Sequence, residues 1–406
     1  MEENPDAKGF DRKRLQRIDD VLQADVNSRR IPGAVVLLAR YGQIAYWKPF
    51  GFRDRDTNVG MQRDDLFRIA SMTKPVTSVG VMMLAERGRI LLPEAVAKYL
   101  PDFAETRVGV EEPASSGRLV LRTLPQGRAM TVYDLLRHTA GLTYGLFGSS
   151  LVKTAYNDAG VFDLRNTNEE MVRKLGALPL AHQPGRLWDY SMATDVLGRL
   201  LEVVSGKSLG EFFAEEILRP LGLENTGFRL EKQNASRMAQ PQSNAESGLR
   251  VPMTDHTTEW LWESGGAGLY STAGDYLRFC QMLLNRGEWD GQRLLAASTV
   301  DFMTRDHIPA DMTYDKLTAT LFEAGAPMRE MGQSFGLGLA LRTHPGLNPL
   351  PGSVGDYGWG GALGTYFWVD PQQHLIAIFM SQAPDRRLHY RYVMRQLVYQ
   401  ALEEKH

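Results

Sequence analysis

Ser71-Met72-Thr73-Lys74 pairs a hydroxyl with an ammonium at a three-residue step, which on a helix puts both side chains on one face within reach of each other. A serine hydroxyl is a poor nucleophile by itself. A lysine beside it serves as base once burial or neighbouring positive charge lowers its pKa. The tetrad follows Leu66-Phe67-Arg68-Ile69-Ala70 and opens an apolar helical stretch through Leu84, with Pro75 near its start, where proline is tolerated. Ser71 is therefore expected at a helix entrance. There its backbone N–H is an unpaired donor, suited to the oxyanion formed when the hydroxyl attacks a carbonyl. Two common residues at a fixed spacing are a weak signal, and the chain holds a second copy, Ser150-Leu151-Val152-Lys153. A helix cap followed by a surface lysine explains such a pattern equally well.

The elements that must position Ser71 are legible in outline. Leu15, Ile18, Val21, Leu22 and Val26 recur at three- and four-residue steps and predict an amphipathic helix from Arg12 to Val26. Strands are expected at Ala34 to Ala39 and Gln43 to Trp47, joined by Arg40-Tyr41-Gly42 as an antiparallel hairpin. Helical periodicity dominates from about Val76 to Gln240, including Thr131 to Arg137 and Ala193 to Val204. Within it, Glu105 to Met130 and Thr143 to Asn168 read as long loops that could wall a substrate pocket. Strand signals return at Leu337 to Leu341, Thr365 to Val369 and His374 to Met380, and Tyr390 to Leu402 closes the chain as a helix. The two ends of the chain are thus expected to share one sheet. Residues 1–75 and 241–406 form a discontinuous sheet domain in this reading, 76–240 an inserted helical domain, and the active site lies between them.

Five stretches, in order, carry a specific resemblance. Leu66 to Pro75, then Leu135-Leu136-Arg137-His138-Thr139-Ala140-Gly141-Leu142, Trp188-Asp189-Tyr190-Ser191, Gly265-Gly266-Ala267-Gly268-Leu269 and Trp359-Gly360-Gly361 look like the landmarks of the family VIII carboxylesterases. Those esterases are similar to class C β-lactamases, within the serine β-lactamase and penicillin-binding-protein superfamily. The resemblance spans nearly the whole chain. It implies an α/β, β-lactamase-like fold: an antiparallel sheet flanked by helices, plus an inserted, mostly helical lobe. It makes Ser71 the acylated nucleophile, Lys74 its hydrogen-bonded neighbour and Tyr190 the proton shuttle. A phenol, whose ordinary pKa is about 10, can act as a base only beside cations, and Lys74 would supply one. The backbone N–H groups of Ser71 and Ala362 are the implied oxyanion donors. Tyr144 resembles an active-site aromatic of these esterases.

The departures from the pattern point to the substrate. β-Lactamases of this kind carry Tyr-x-Asn and Lys-Thr-Gly, where this chain has Tyr190-Ser191-Met192 and Trp359-Gly360-Gly361. Met192 lacks the amide, and Trp359 replaces an ammonium with an indole. A carboxylate-bearing lactam loses two anchors, each worth roughly 1.5–3 kcal/mol. An uncharged ester loses little and gains an apolar wall. The expected activity is hydrolysis of small carboxylic esters, with Met192, Tyr144, Trp359, Gly360 and Gly361 at the substrate. The alternatives are acyl transfer from the same acyl-enzyme, since fungal statin acyltransferases resemble this pattern too, and weak β-lactamase or D-amino-acid peptidase activity. A catalytically dead binding protein is disfavoured by the presence of all three chemical residues.

Other candidates read as structure. Gly206-Lys207-Ser208-Leu209-Gly210 spells a nucleophile elbow, but it falls between two helical segments instead of joining a strand to a helix. His138 is expected to be structural because Lys74 already fills the base position. Trp262 and Tyr270 are pocket or packing aromatics, and Met82 and Met83 read as core. The eight histidines include no pair at metal-ligand spacing, so neither metal nor cofactor is expected. Cys280 lies in an apolar helical segment and reads as a buried thiol. A net charge of −2 without basic runs makes nucleic acid an unexpected partner. The opening stretch, Met1 to Asp20, is polar and no run is long enough to span a bilayer, so the chain reads as cytoplasmic with no membrane partner. Its oligomeric state is not set by the sequence.

Overall fold

A computed structural model describes residues 9–241, 253–258 and 262–403. Asp11 caps the first helix, α1 (Arg12–Asn27), which buries Leu15, Ile18, Leu22 and Val26. The strands β1 (Gly33–Arg40) and β2 (Gln43–Asp54) form the expected hairpin and lead to the short β3 (Val59–Gly60). Three helices pack around the nucleophile segment: α2 (Thr73–Glu86), α3 (Ala193–Ser205) and α4 (Ala273–Leu284). The sheet is then completed by β4 (Gln333–Phe335), β5 (Ala340–Arg342), β6 (Tyr357–Gly360), β7 (Tyr366–Asp370) and β8 (Leu375–Ser381), and α5 (Arg387–Tyr399) closes the chain. The eight strands run in the order β4-β5-β6-β7-β8-β1-β2-β3, antiparallel throughout. The N- and C-terminal parts therefore meet at β1 and β8, where Val36 faces Phe379.

Both faces of this sheet are covered. Val36 and Leu38 pack with Leu22 of α1 and Met394 of α5, while Val35 and Leu37 pack with Val76 of α2 and Phe279 of α4. That is why the run from Ala34 to Ala39 is apolar at every position instead of alternating: neither face of β1 meets water.

Three sequence expectations need correction. Glu105 to Met130 is not a loop: Val108–Pro113 and Leu119–Leu124 form an antiparallel hairpin, closed at Ala114 and Arg118 and turned at Gly117 (φ 76°). Most of its side chains are exposed, so no alternation marks it. Thr143 to Asn168 contains a helix, Leu151–Asp158, whose N-cap is Ser150; the second Ser-x-x-Lys copy is this cap, with the Ser150 side chain accepting the Lys153 backbone N–H. Leu337 to Leu341 is not one strand. Gly338 (φ 89°) reverses the chain between β4 and β5, and a Cβ there would lie 2.1 Å from Ser78 Oγ. The Gly206 to Gly210 decoy is a helix junction, as expected: Ser208 caps Leu209–Phe213 in a box with Glu211.

Three histidines are held neutral inside the fold. Burial pushes His138 well below the usual imidazole range, with Lys74 adding to it, takes His256 down to about 4 and lowers His307. The unfolded imidazoles take up protons near pH ~6.5, so between that pH and 4 the unfolded chain binds more protons than the folded one. Stability is full above the unfolded value and falls as the pH drops through this window, by roughly 3 kcal/mol for His256. Melting temperatures from pH 7 to 4 should decline. In His256→Asn, whose amide can still donate to the Phe228 carbonyl, the decline should be shallower; an identical slope would contradict this account.

Candidate active site

Phe67–Arg68 pairs with Tyr270–Ser271 and delivers the chain to Ala70, whose φ of 45° lies in the left-handed region. A residue with a Cβ is held there at about 1–2 kcal/mol. This reversal makes the tight turn Ala70–Met72, which runs directly into α2. Ser71 thus stands on the turn just before the helix, and Lys74 one turn later inside it. The Thr73 hydroxyl accepts the Leu269 N–H and ties the turn to the Gly265 to Leu269 segment.

The side chains expected to do chemistry converge. The Tyr190 hydroxyl donates to Ser71 Oγ at 2.6 Å, and Lys74 Nζ lies 3.4 Å from the same oxygen. Lys74 is 1% exposed and also donates to the Tyr144 hydroxyl at 3.0 Å and to the Gly266 carbonyl at 2.7 Å. Three acceptors thus surround the three donors of one ammonium. Its Nζ sits 4.8 Å from the centre of the Tyr190 ring. Tyr144 is therefore part of the cluster. Burial, chiefly, pushes its phenol well above the usual range, and Asp195 pushes the same way.

Asp195 is a site residue that the sequence did not mark. It lies in the first turn of α3, fully buried, and accepts from the Ser264 hydroxyl and the Gly266 N–H, the latter at 3.0 Å. Burial raises its carboxyl, and the charge of Lys74 opposes that rise. Asp195 is thereby the buried counter-charge of Lys74, linked to it through the Gly266 backbone, whose N–H bonds Asp195 and whose carbonyl bonds Lys74. The signal available was a lone carboxylate in the apolar stretch Ala193 to Leu197.

A glycine sets the other wall. A Cβ on Gly361 would lie 2.4 Å from the Ile69 carbonyl, so only a bare Cα lets the end of β6 close on the nucleophile turn. The Gly361 N–H goes to Thr365 and the Met72 N–H to Ile69, leaving the N–H groups of Ser71 and Ala362 without an acceptor among the described residues. Both residues line one cavity of about 140 Å³. Tyr144, Phe147 and Phe162 wall it from the Thr143 to Asn168 segment, Leu321 and Phe322 from another, and Arg387 and Arg391 from α5. No residue of Glu105 to Met130 reaches it.

The remaining expected substrate residues divide. Gly360 lines the cavity, whereas Trp359 and Met192 do not. Trp359 stands behind Tyr190, its indole N–H 3.4 Å from the hydroxyl and its ring packed on Tyr190 and Phe322. Met192 is buried at the start of α3. His138 packs against the Tyr190 ring, and its Nδ1 accepts the Ser191 N–H. It makes no bond to Ser71. Trp262 donates to Asn168 and Tyr270 to the Arg229 carbonyl, both away from the cavity. Met82, Met83 and Cys280 are core, and burial pushes the Cys280 thiol well up. Among the described residues His182, Asp189 and Asp315 could gather ligand atoms for a metal; none lines the cavity, and His182 is already bonded to Asp189. No helix among the described residues is long and apolar enough to cross a membrane.

Comparison with known proteins bears on the family and the fold. Residues 18–398 match the family described as Beta-lactamase. The chain is 35% identical over 362 residues to the protein Rv1367c of Mycobacterium tuberculosis, covering 87% of each. It is 30% identical over 387 residues to Esterase EstB of Burkholderia gladioli, covering 90% of this chain and 89% of the esterase. The solved structure of EstCE1, described as a hydrolase with promiscuous acyltransferase activity, superposes with a TM-score of 0.77 at 27% identity, covering 95% and 99%.

Proposed function

The chain belongs to the beta-lactamase family, and from that premise we propose that it is a serine carboxylesterase working through an acyl-Ser71 intermediate. The observation that carries this reading is the Tyr190, Ser71 and Lys74 cluster at the wall of a small aromatic cavity. The Tyr190 oxygen, beside the Lys74 charge, takes the Oγ proton while the Oγ–carbonyl bond forms. The N–H groups of Ser71 and Ala362 receive the oxyanion. Tyr190 then returns its proton to the departing alkoxide, leaving acyl-Ser71. Water, deprotonated by the same Tyr190 oxygen, attacks the acyl carbon, and Ser71 leaves as the protonated alcohol. Trp359 supports ester over lactam: it places an apolar ring and a weak N–H donor behind Tyr190, at the position where a lysine would face a lactam carboxylate.

The test is turnover of p-nitrophenyl butyrate with Ser71-dependent labelling by a fluorophosphonate, beside nitrocefin. Ester turnover far above nitrocefin turnover supports the reading, and the reverse ranking sinks it. Acyl transfer is the second reading, favoured by the likeness to EstCE1. It predicts that added alcohol diverts the acyl group from water to a new ester.

The Gly266 peptide should be sensitive. A Cβ there would come within 2.4 Å of Asp195 Oδ2, so Gly266→Ala displaces either the Asp195 carboxylate or the Gly266 backbone whose carbonyl holds Lys74. A displacement of that kind is expected to lower kcat/KM on p-nitrophenyl butyrate about 100-fold. Activity within threefold of wild type would show that the Gly266 link does not position Lys74.

A further inference from the structure

Next to Tyr190 in sequence, and outside the cavity beside Ser71, three side chains with ligand atoms converge. One such atom from each of His182, Asp189 and Asp315 lies within 4.8 Å of the other two. His182 Nε2 and Asp189 Oδ2 are 3.2 Å apart. A four-coordinate ion with bonds of ~2.1 Å spaces its ligand atoms about 3.4 Å apart. The His182 and Asp189 pair therefore already stands at ligand spacing, and Asp315, only partly buried, has room to close the set.

Backbone bonds hold all three in place. The Asp189 N–H donates to the His138 carbonyl at 3.0 Å and the His182 N–H to the Gly141 carbonyl at 3.2 Å, which anchors both to the Leu135 to Leu142 stretch. Thr313–Tyr314 runs parallel to Leu187–Trp188, and the Asp315 N–H continues that pairing onto the Trp188 carbonyl at 2.9 Å. Asp315 is thus fixed beside Asp189.

The charges there do not balance. Two carboxylates face one imidazole, and Asp189 is only 5% exposed. Burial, chiefly, pushes the Asp189 carboxyl up; the bond to His182 opposes this and the charge of Asp315 adds to it. Lys153 and Lys316 line the same hollow of about 560 Å³ as His182 and Asp315, yet neither forms an ion pair with Asp189 or Asp315 among the described residues. A fourth oxygen is also unused. The Thr143 hydroxyl is 1% exposed, lies beside the Asp189 carboxyl, whose ionised form it favours, and is buried without a partner at hydrogen-bond geometry. A buried oxygen of that kind calls for a ligand, and a cation accepts its lone pair.

We propose that His182, Asp189 and Asp315, with the Thr143 hydroxyl, bind one divalent transition-metal ion that fastens the chain leading to Leu321 and Phe322 onto the segment carrying Tyr190. Imidazole and carboxylate together suit zinc or manganese, whereas calcium and magnesium take oxygen ligands. Asp315 makes the link: its carbonyl accepts the Thr318 N–H at the entrance of the helix Thr318–Phe322, and Leu321 and Phe322 line the cavity beside Ser71. The ion is a tie in the fold and takes no part in the acyl chemistry. The expectation of no metal rested on the absence of a histidine pair, and this set needs only one histidine.

The experiment uses the full chain, freed of any affinity tag and stripped with EDTA. Dialysis against Zn²⁺ followed by metal analysis should find one ion per chain with a dissociation constant below about 100 µM. In Asp315→Asn and His182→Gln binding should weaken at least about thirtyfold, since even outer partners of a metal ligand are worth 10–100-fold. Weaker binding than that by the wild type, or binding unchanged within threefold in both variants, overturns the proposal. Should a variant lose its cooperative melt, the wild type decides: Zn²⁺ should protect His182 from diethyl pyrocarbonate, read by peptide mass, while the exposed His344 is modified as before and Mg²⁺ gives no protection. Equal modification of His182 with and without Zn²⁺ overturns it. Amide exchange over residues 313–322 should slow on loading, and unchanged exchange with the ion bound overturns the fastening. None of these readouts depends on ester turnover, so failure of the esterase reading is separately visible.

Discussion

Ser71→Ala should lower ester turnover by at least ~10,000-fold and abolish fluorophosphonate labelling, while changing stability by only about 1 kcal/mol. The activity loss follows from removing the one hydroxyl that both Tyr190 and Lys74 address. The small stability change follows because the turn itself is held by other groups: the Met72 N–H bonds Ile69, the Thr73 hydroxyl bonds Leu269, and Gly361 packs on the Ile69 carbonyl. Alanine leaves the Tyr190 hydroxyl short of one acceptor and Lys74 with two of its three. Turnover, intact mass after labelling and thermal melting check the three parts together. Retained turnover, or an adduct mapped to Ser150 or Ser208, would move the nucleophile elsewhere. Both of those serines are occupied as helix caps, so neither outcome is expected.

Tyr190→Phe should lower kcat/KM on p-nitrophenyl butyrate about 1,000-fold, and phosphonylation of Ser71 should slow in parallel. The reason is the pair of distances at Ser71 Oγ: the phenol oxygen is at 2.6 Å, Lys74 Nζ at 3.4 Å. Tyr190 is therefore the nearer group to Oγ and, in the proposed mechanism, the one that takes the proton, with Lys74 the charge that supports it. The ring's packing on Trp359, Phe322, Tyr144 and His138 survives the substitution, so the fold should hold. A loss of less than tenfold would assign the first proton transfer to Lys74.

Burial decides which elements of this fold are legible in its sequence. The hairpin of β1 and β2 and the strands at β7 and β8 were readable because they are central and buried, and burial writes a continuous apolar run. The Val108 to Leu124 hairpin was not readable, because its side chains face water and its strands are held by backbone bonds that any residue can make. Leu337 to Leu341 looked like a strand because its leucines are buried, but burial is shared by the tight turn that Gly338 makes.

Within the site the same division holds. By itself the sequence determined the Ser71 and Lys74 pair, the helix entrance beneath it, the caps at Ser150 and Ser208, and the ordered landmarks that mark the family. Each of these is local, set by spacing within one helical turn or by a run of neighbouring residues. Only the tertiary structure decided that Tyr144 bonds Lys74, that Asp195 answers Lys74 through Gly266, that Trp359 backs Tyr190, and that Arg391 reaches the cavity from α5. Those contacts join residues on different elements, brought together by the packing of α3 and α5 and the closure of β6 on the nucleophile turn. A pairing made across the fold leaves no period in the chain, because each partner needs only to be the right residue at one point on an otherwise ordinary face.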